Sequence, residues 1–163
     1  MKHLIINPFK TLLAILVLSI FGVSQSSAQQ AYVWEEYGIS FSLADDFAEV
    51  TNNQEEFSAT GDAMEFAIIP FKDASVSDSD ITTFTIGIAN SLDLEGVDDV
   101  NTIQLNDFQG GYVEGVKDGV KIFLLGLIDP NSETNFFVII TFINEDENAI
   151  DEAIAICESL NKL

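Results

Sequence analysis

The chain has 163 residues and a formal net charge of −21, from 27 acidic against 6 basic residues and a single histidine. Every basic residue is a lysine, the histidine is His3, and only Lys72, Lys117, Lys121 and Lys162 follow residue 28. Beyond that point the usual general base near neutral pH and the guanidinium fork for phosphate or carboxylate are both missing. An acidic surface of this size also repels nucleic acid and anionic lipid, leaving cations or a basic protein patch as favoured company, or serving solubility alone.

In chain order, residues 1–28 read as a secretory signal peptide. Lys2 and Lys10 give a basic start, Leu12 to Val23 an apolar run, and Ser26-Ser27-Ala28 a small-residue cleavage site. An uncleaved membrane anchor is the competing reading, but the run is about twelve residues where a span needs roughly 20. No cysteine near the cleavage site accepts a lipid. Residues 29–163 then form a single exported domain, periplasmic or extracellular, without stable membrane insertion. The lone Cys157 excludes an intrachain disulfide, and its place on an apolar helical stripe favours a buried small hydrophobe over a reactive thiol.

Tyr37, Ile39, Phe41 and Leu43 alternate with Gly38, Ser40 and Ser42, which predicts a half-buried strand, turned by Ala44-Asp45-Asp46-Phe47 into a return strand from Glu49. Phe57 to Thr60 and Met64 to Phe71 predict a hairpin around Gly61-Asp62, with Pro70 at a strand end. Asp73 to Asp80 reads as an acidic loop leading to a helix cap. From Ser79 or Asp80 a helix runs to about Leu92 on Ile81, Phe84, Ile88 and Leu92; alternation of Phe84, Ile86 and Ile88 is the competing strand signal. Val100 to Leu105 predicts a short strand. Gly110 to Val116 and Val120 to Ile128 follow as a hairpin around Asp118-Gly119. Phe136 to Ile143 is nearly continuous in apolar character, as a central strand covered on both faces would be. The last helix starts with Asn144 as cap and Glu147 as its capping-box partner, and Ile150, Ala153, Ile154, Cys157 and Leu160 make its buried stripe. These elements predict an α+β fold, an antiparallel β-sheet flanked by helices.

Tyr37-Gly-Ile-Ser-Phe-Ser-Leu with its acidic turn and Phe47, Gly111-Tyr-Val-Glu-Gly before Asp118-Gly119, the strand Phe136 to Phe142 and the close Glu158-Ser159-Leu160 resemble the PsbP/Mog-type proteins, in particular small exported bacterial members, over nearly the whole of 29–163. Ala44 departs from the proline such proteins often carry there. The resemblance implies an α/β/α sandwich and accessory or regulatory binding more than catalysis. None of the family's partner-binding residues carries over to a position here.

Asp73, Asp78 and Asp80 are candidate oxygen ligands for Ca²⁺, as are Glu95, Asp98 and Asp99, or Asp129 with Glu133; solvated loops are the alternative, since the calcium-loop spacing is missing. Zinc lacks ligands. Asp45-Asp46 and Glu55-Glu56 invite a glycosidase reading, but neighbours on a strand face opposite ways. No base activates a serine, and Gly110-Gly111 lacks the rest of a phosphate loop, so close backbone approach is its better use. Tyr32, Trp34 and Tyr37 are the candidate partner-contact residues; alternatively Trp34 packs an edge strand onto the sheet. The expectation is a non-enzymatic accessory or protein-binding domain of unknown partner, no cofactor except possible Ca²⁺. A cation-dependent or small-ligand-binding module is the alternative, and an enzyme comes third.

Overall fold

The computed structural model describes residues 29–71, 80–143 and 149–163. The signal-peptide segment, Asp73, Asp78 and the capping box at Asn144 and Glu147 lie outside the described residues. Among the described residues, ten strands and two helices follow in the order β1 (Gln29–Trp34), β2 (Ile39–Ala44), β3 (Ala48–Asn52), β4 (Phe57–Thr60), β5 (Met64–Phe71), α1 (Ile81–Ser91), β6 (Asn101–Gln104), β7 (Gln109–Lys117), β8 (Val120–Ile128), β9 (Asn135–Phe142), α2 (Ala149–Glu158) and β10 (Asn161–Lys162). Seven strands make one antiparallel sheet in the order β3-β4-β5-β9-β8-β7-β6. The other three make a second sheet, β1-β2-β10.

Alternation divides the side chains of the large sheet between two apolar layers. Phe123, Leu125 and Leu127 of β8 and Phe136, Val138, Ile140 and Phe142 of β9 join Ile39, Phe41 and Leu43 of β2 and Ala153, Ile156 and Cys157 of α2 in the larger layer. On the opposite face Leu124, Ile128, Phe137 and Val113 meet Phe84, Ile88 and Ala89 of α1. The architecture is therefore α+β, with α1 on one face of the large sheet and the small sheet with α2 on the other. The small sheet is a departure from the single sheet that periodicity predicts: β2 pairs with a strand about 120 residues away, and no local pattern encodes that.

Residues 81–91 are helical, because Phe84 and Ile88 are buried on one side while Ile86 is only half-buried beside them. Asp80 is the cap: its carboxylate accepts from the Thr83 backbone N–H at 3.0 Å and from the Thr83 hydroxyl at 3.2 Å. The helix sits unusually close to the sheet over two glycines paired in register, Gly111 and Gly126. A Cβ on Gly126 would lie 2.6 Å from Thr85 Oγ1, and one on Gly111 2.8 Å from Ile81 Cγ1. In that space the Thr85 hydroxyl donates to the Gly111 carbonyl at 3.0 Å.

Three expectations shift in detail. The β4–β5 hairpin closes through Gly61 N–H to Met64 C=O at 2.9 Å, so its central residues are Asp62 and Ala63, one place later than Gly61-Asp62. The stripe of α2 runs through Ala149, Ala153, Ile156, Cys157 and Leu160, with Ile150 and Ile154 half-buried at its margins. Finally, β9 is covered on both faces only in its first half: Ile139 and Thr141 border a shallow depression of about 280 Å³ with Val50 and Ser58, where α1 does not reach.

Candidate interaction site

A concavity is built where α1 ends. Leu92 closes the helix, Asp93 takes φ 55°, and the Leu94 N–H returns to the Ala89 carbonyl at 3.0 Å, a left-handed helix stop. Lys117 Nζ donates to the Leu92 carbonyl at 2.7 Å, a cation at the negative end of the helix. Glu95 and Val116 then exchange both backbone hydrogen bonds at 2.8 Å, which pins the outgoing chain to β7. Gly115 permits that approach, since a Cβ there would stand 3.2 Å from the Glu95 carbonyl oxygen. On the other side the β7–β8 hairpin turns through Asp118 and Gly119 at φ 53° and 83°, the pair of positive angles that a tight two-residue hairpin requires.

These elements enclose an open cleft of about 430 Å³ whose charged and amide groups are Asp98, Asp99, Asn101, Glu114 and Lys121. Lys121 and Glu114 face each other at 3.7 Å with side chains 39% and 43% exposed, a contact that solvent screens heavily. Asp98 and Asp99 are exposed. Their carboxylates reach no lysine among the described residues, because Lys117 is spent on Leu92, Lys121 on Glu114 and Lys162 on Asp129. The cleft accepts hydrogen bonds and positive charge.

Of the proposed calcium ligands, Asp80 is committed to its helix cap, which holds its carboxyl below the usual carboxylate range through the Thr83 N–H and hydroxyl. Asp129 does not join Glu133 in a loop site. Its side chain is fully buried, Oδ2 receives Lys162 Nζ, and Oδ1 accepts the Asn131 N–H at 2.9 Å. Among the described residues no group of three or more His, Cys, Asp or Glu is placed to hold a metal ion.

Tyr32 and Trp34 sit in the core, at 8% and 0% exposure, and Tyr37 is half-buried on Trp34 and Phe136. Their polar tips form a clamp on the edge strand β3. Tyr32 donates to the Phe47 carbonyl at 2.7 Å, just before that strand, while Trp34 Nε1 donates to Asn53 at 2.6 Å and Tyr37 to Gln54 at 2.9 Å, just after it. Burial, then Glu49 and Asp46, hold the Tyr32 hydroxyl above the usual phenol range. Cys157 is fully buried, and burial with Glu158 nearby pushes its thiol up.

The Ran-binding protein Mog1p of Saccharomyces cerevisiae superposes with a TM-score of 0.60 at 10% identity, covering 84% of this chain and 96% of its own. The cyanobacterial PsbP of Synechocystis gives 0.58 at 10% identity, covering 87% and 96%. The fold is PsbP/Mog-type. A Bacteroides thetaiotaomicron protein contains a similar unit, with a TM-score of 0.51 at 13% identity, 83% of this chain matching 48% of that one. No family model matches the chain, and a search of curated proteins returns no match. In this PsbP/Mog-type domain the acidic cleft belongs to the segment after α1 and the β7–β8 hairpin. The Lys162–Asp129 pair, 33 residues apart in sequence, had no local signal by which to be read.

Proposed function

We propose that this chain is an exported, non-catalytic accessory domain that binds a protein partner through its acidic surface. The observation that carries the reading is the 430 Å³ cleft, where Asp98 and Asp99 are exposed carboxylates that no lysine among the described residues offsets. A basic group on a partner is the natural complement to that charge. Two considerations support it. The solved proteins of like fold include one named for binding Ran and one that is a PsbP. Beyond His3 the chain also carries no histidine or arginine to run acid-base chemistry near neutrality. Export rests on the signal-peptide pattern of residues 1–28, with the periplasm or the exterior as destination.

The test is affinity capture of the tagged chain from its own extracytoplasmic fraction, with Ca²⁺ and with chelator, together with sequencing of the mature N-terminus. The expected result is one partner in stoichiometric yield, lost in high salt and in the triple variant Asp98→Asn, Asp99→Asn, Glu114→Gln, on a protein that begins at Gln29. Empty captures in both conditions would overturn the binding reading, and an unprocessed start would overturn export. A partner held only with Ca²⁺ would replace it with the cation-dependent module.

A further inference from the structure

We infer that the free edge of the large sheet, β6, takes up an extended segment of a protein partner as an eighth strand, with a basic residue of that segment seated in the acidic cleft. This rests on the binding-domain reading above and names the surface that serves it. β6 pairs only with β7, in the unbroken register Asn101↔Tyr112 to Gln104↔Gln109, and among the described residues its outer row of backbone groups meets no other strand. Such an edge is a ready template for another chain, and proteins ordinarily blunt it with charge, proline, a bulge or a cover. The opposite edge, β3, has three of these devices: Glu49, a register shift between Glu49 and Thr51, and the Tyr32–Trp34–Tyr37 clamp. β6 is only four residues long, Asn, Thr, Ile and Gln, and that shortness is its one such device: the strand has no charge, proline or register shift, and among the described residues no cover.

Two concavities flank this edge and divide the strand between them. Asn101 lines the acidic cleft, and Thr102 to Gln104 line a second depression of about 220 Å³ together with Ile81 and Leu105. Ile81 and Leu105 are half-buried and so leave apolar surface open to an added strand. An added strand therefore meets carboxylates at one end and apolar side chains at the other, the combination of main-chain affinity and side-chain specificity that strand addition uses. Charge decides the occupant. A second copy pairing antiparallel through its own β6 would set Asp98 and Asp99 of one chain near Asp107 of the other, like charge against like. A segment with lysine or arginine at its C-terminal end, added antiparallel, places that cation at Asp98 and Asp99.

A displayed library of ten-residue peptides is panned against the purified protein, and the best binder is synthesised with and without backbone N-methylation at alternate positions. The expected binder has a basic C-terminal end and alternating apolar residues. It slows amide exchange at residues 101–104, fails when N-methylated along its pairing edge, and weakens about tenfold against Asp98→Asn/Asp99→Asn, the worth of two exposed charge pairs. Failure to select a binder, protection confined to other strands, or protection of 101–104 that rises with protein concentration alone would each overturn the inference. A stoichiometric captured partner that leaves exchange at 101–104 unchanged would overturn it while leaving the binding reading intact.

Discussion

Lys162→Met isolates one of the contacts that hold β10, the one to the residue just after β8. Lys162 Nζ meets Asp129 Oδ2, and the Asp129 side chain is fully buried while that of Lys162 is 33% exposed. Without the amine, Asp129 keeps one hydrogen bond, from the Asn131 N–H at 2.9 Å, and holds an uncompensated charge out of water. Breaking a fully buried pair costs about 3–5 kcal/mol. Because a third of the lysine is already wet, water can reach the carboxylate once the amine is gone, and the expected cost falls to about 2–3 kcal/mol. At this chain length that lowers the melting temperature by roughly 10 °C. Asp129→Asn removes the charge and keeps an oxygen for Asn131, so it should cost only about 1 kcal/mol, and adding Lys162→Met to it should cost little more. Urea unfolding at pH 7, followed by the fluorescence of the single, fully buried Trp34, measures all three variants. A Lys162→Met chain within about 0.5 kcal/mol of the parent, or one whose loss is unchanged when Asp129→Asn is already present, would refute the buried-charge argument, because 0.5 kcal/mol is the ordinary scatter of surface substitutions.

Tyr32→Phe keeps the ring and loses the hydrogen bond to Phe47, at about 1 kcal/mol in denaturant unfolding. Since the folded hydroxyl titrates above the usual phenol range, its contribution is complete below about pH 10 and is lost as pH rises through the raised value. The gap between parent and Tyr32→Phe should therefore narrow in alkaline melts. Asp80→Ala lowers the melting temperature at neutral pH. Because the folded carboxyl titrates below its usual range, that deficit is present above the ordinary aspartate pKa and disappears as pH falls through the lowered value, which melts taken from neutral to strongly acidic pH will show. Gly126→Ala drives a Cβ to within 2.6 Å of Thr85 Oγ1 and 2.9 Å of the fully buried Phe84, costing about 1–3 kcal/mol, part of which Thr85→Ala in the same chain should return.

What could be read from the sequence follows the range of the interaction that encodes it. Asp118-Gly119 announces its hairpin because the turn's positive φ angles are a property of those two residues, and the Tyr37 to Leu43 alternation announces β2 because burial repeats every second residue. The α1 helix was legible against a competing strand pattern, since Asp80 marks its start and Phe84 and Ile88 share one face. Longer-range features left no such mark. The separation of β1-β2-β10 from the large sheet depends on a two-residue strand at the far end of the chain. The aromatic segment showed its composition but not its direction: Tyr32 and Trp34 reach across 15 and 19 residues to carbonyls that no pattern identifies. Asp98 and Asp99 were singled out as carboxylates, yet the cleft around them depends on Gly115 and on the Glu95–Val116 bridge.

The small sheet also sets an order of events. Synthesis delivers β1 and β2 early, as a two-stranded hairpin, a unit only marginally stable in water. Its third strand is made only after the other described elements, with Ser159 Oγ accepting the Ser42 N–H, Asp107 receiving the Lys162 N–H, and the Leu163 N–H closing on Gly38. Closing so long a loop is slow relative to local hairpins. The seven-stranded sheet can collapse on α1 while that side stays unsealed, and the growing chain remains open along β2 until residue 162 is in place.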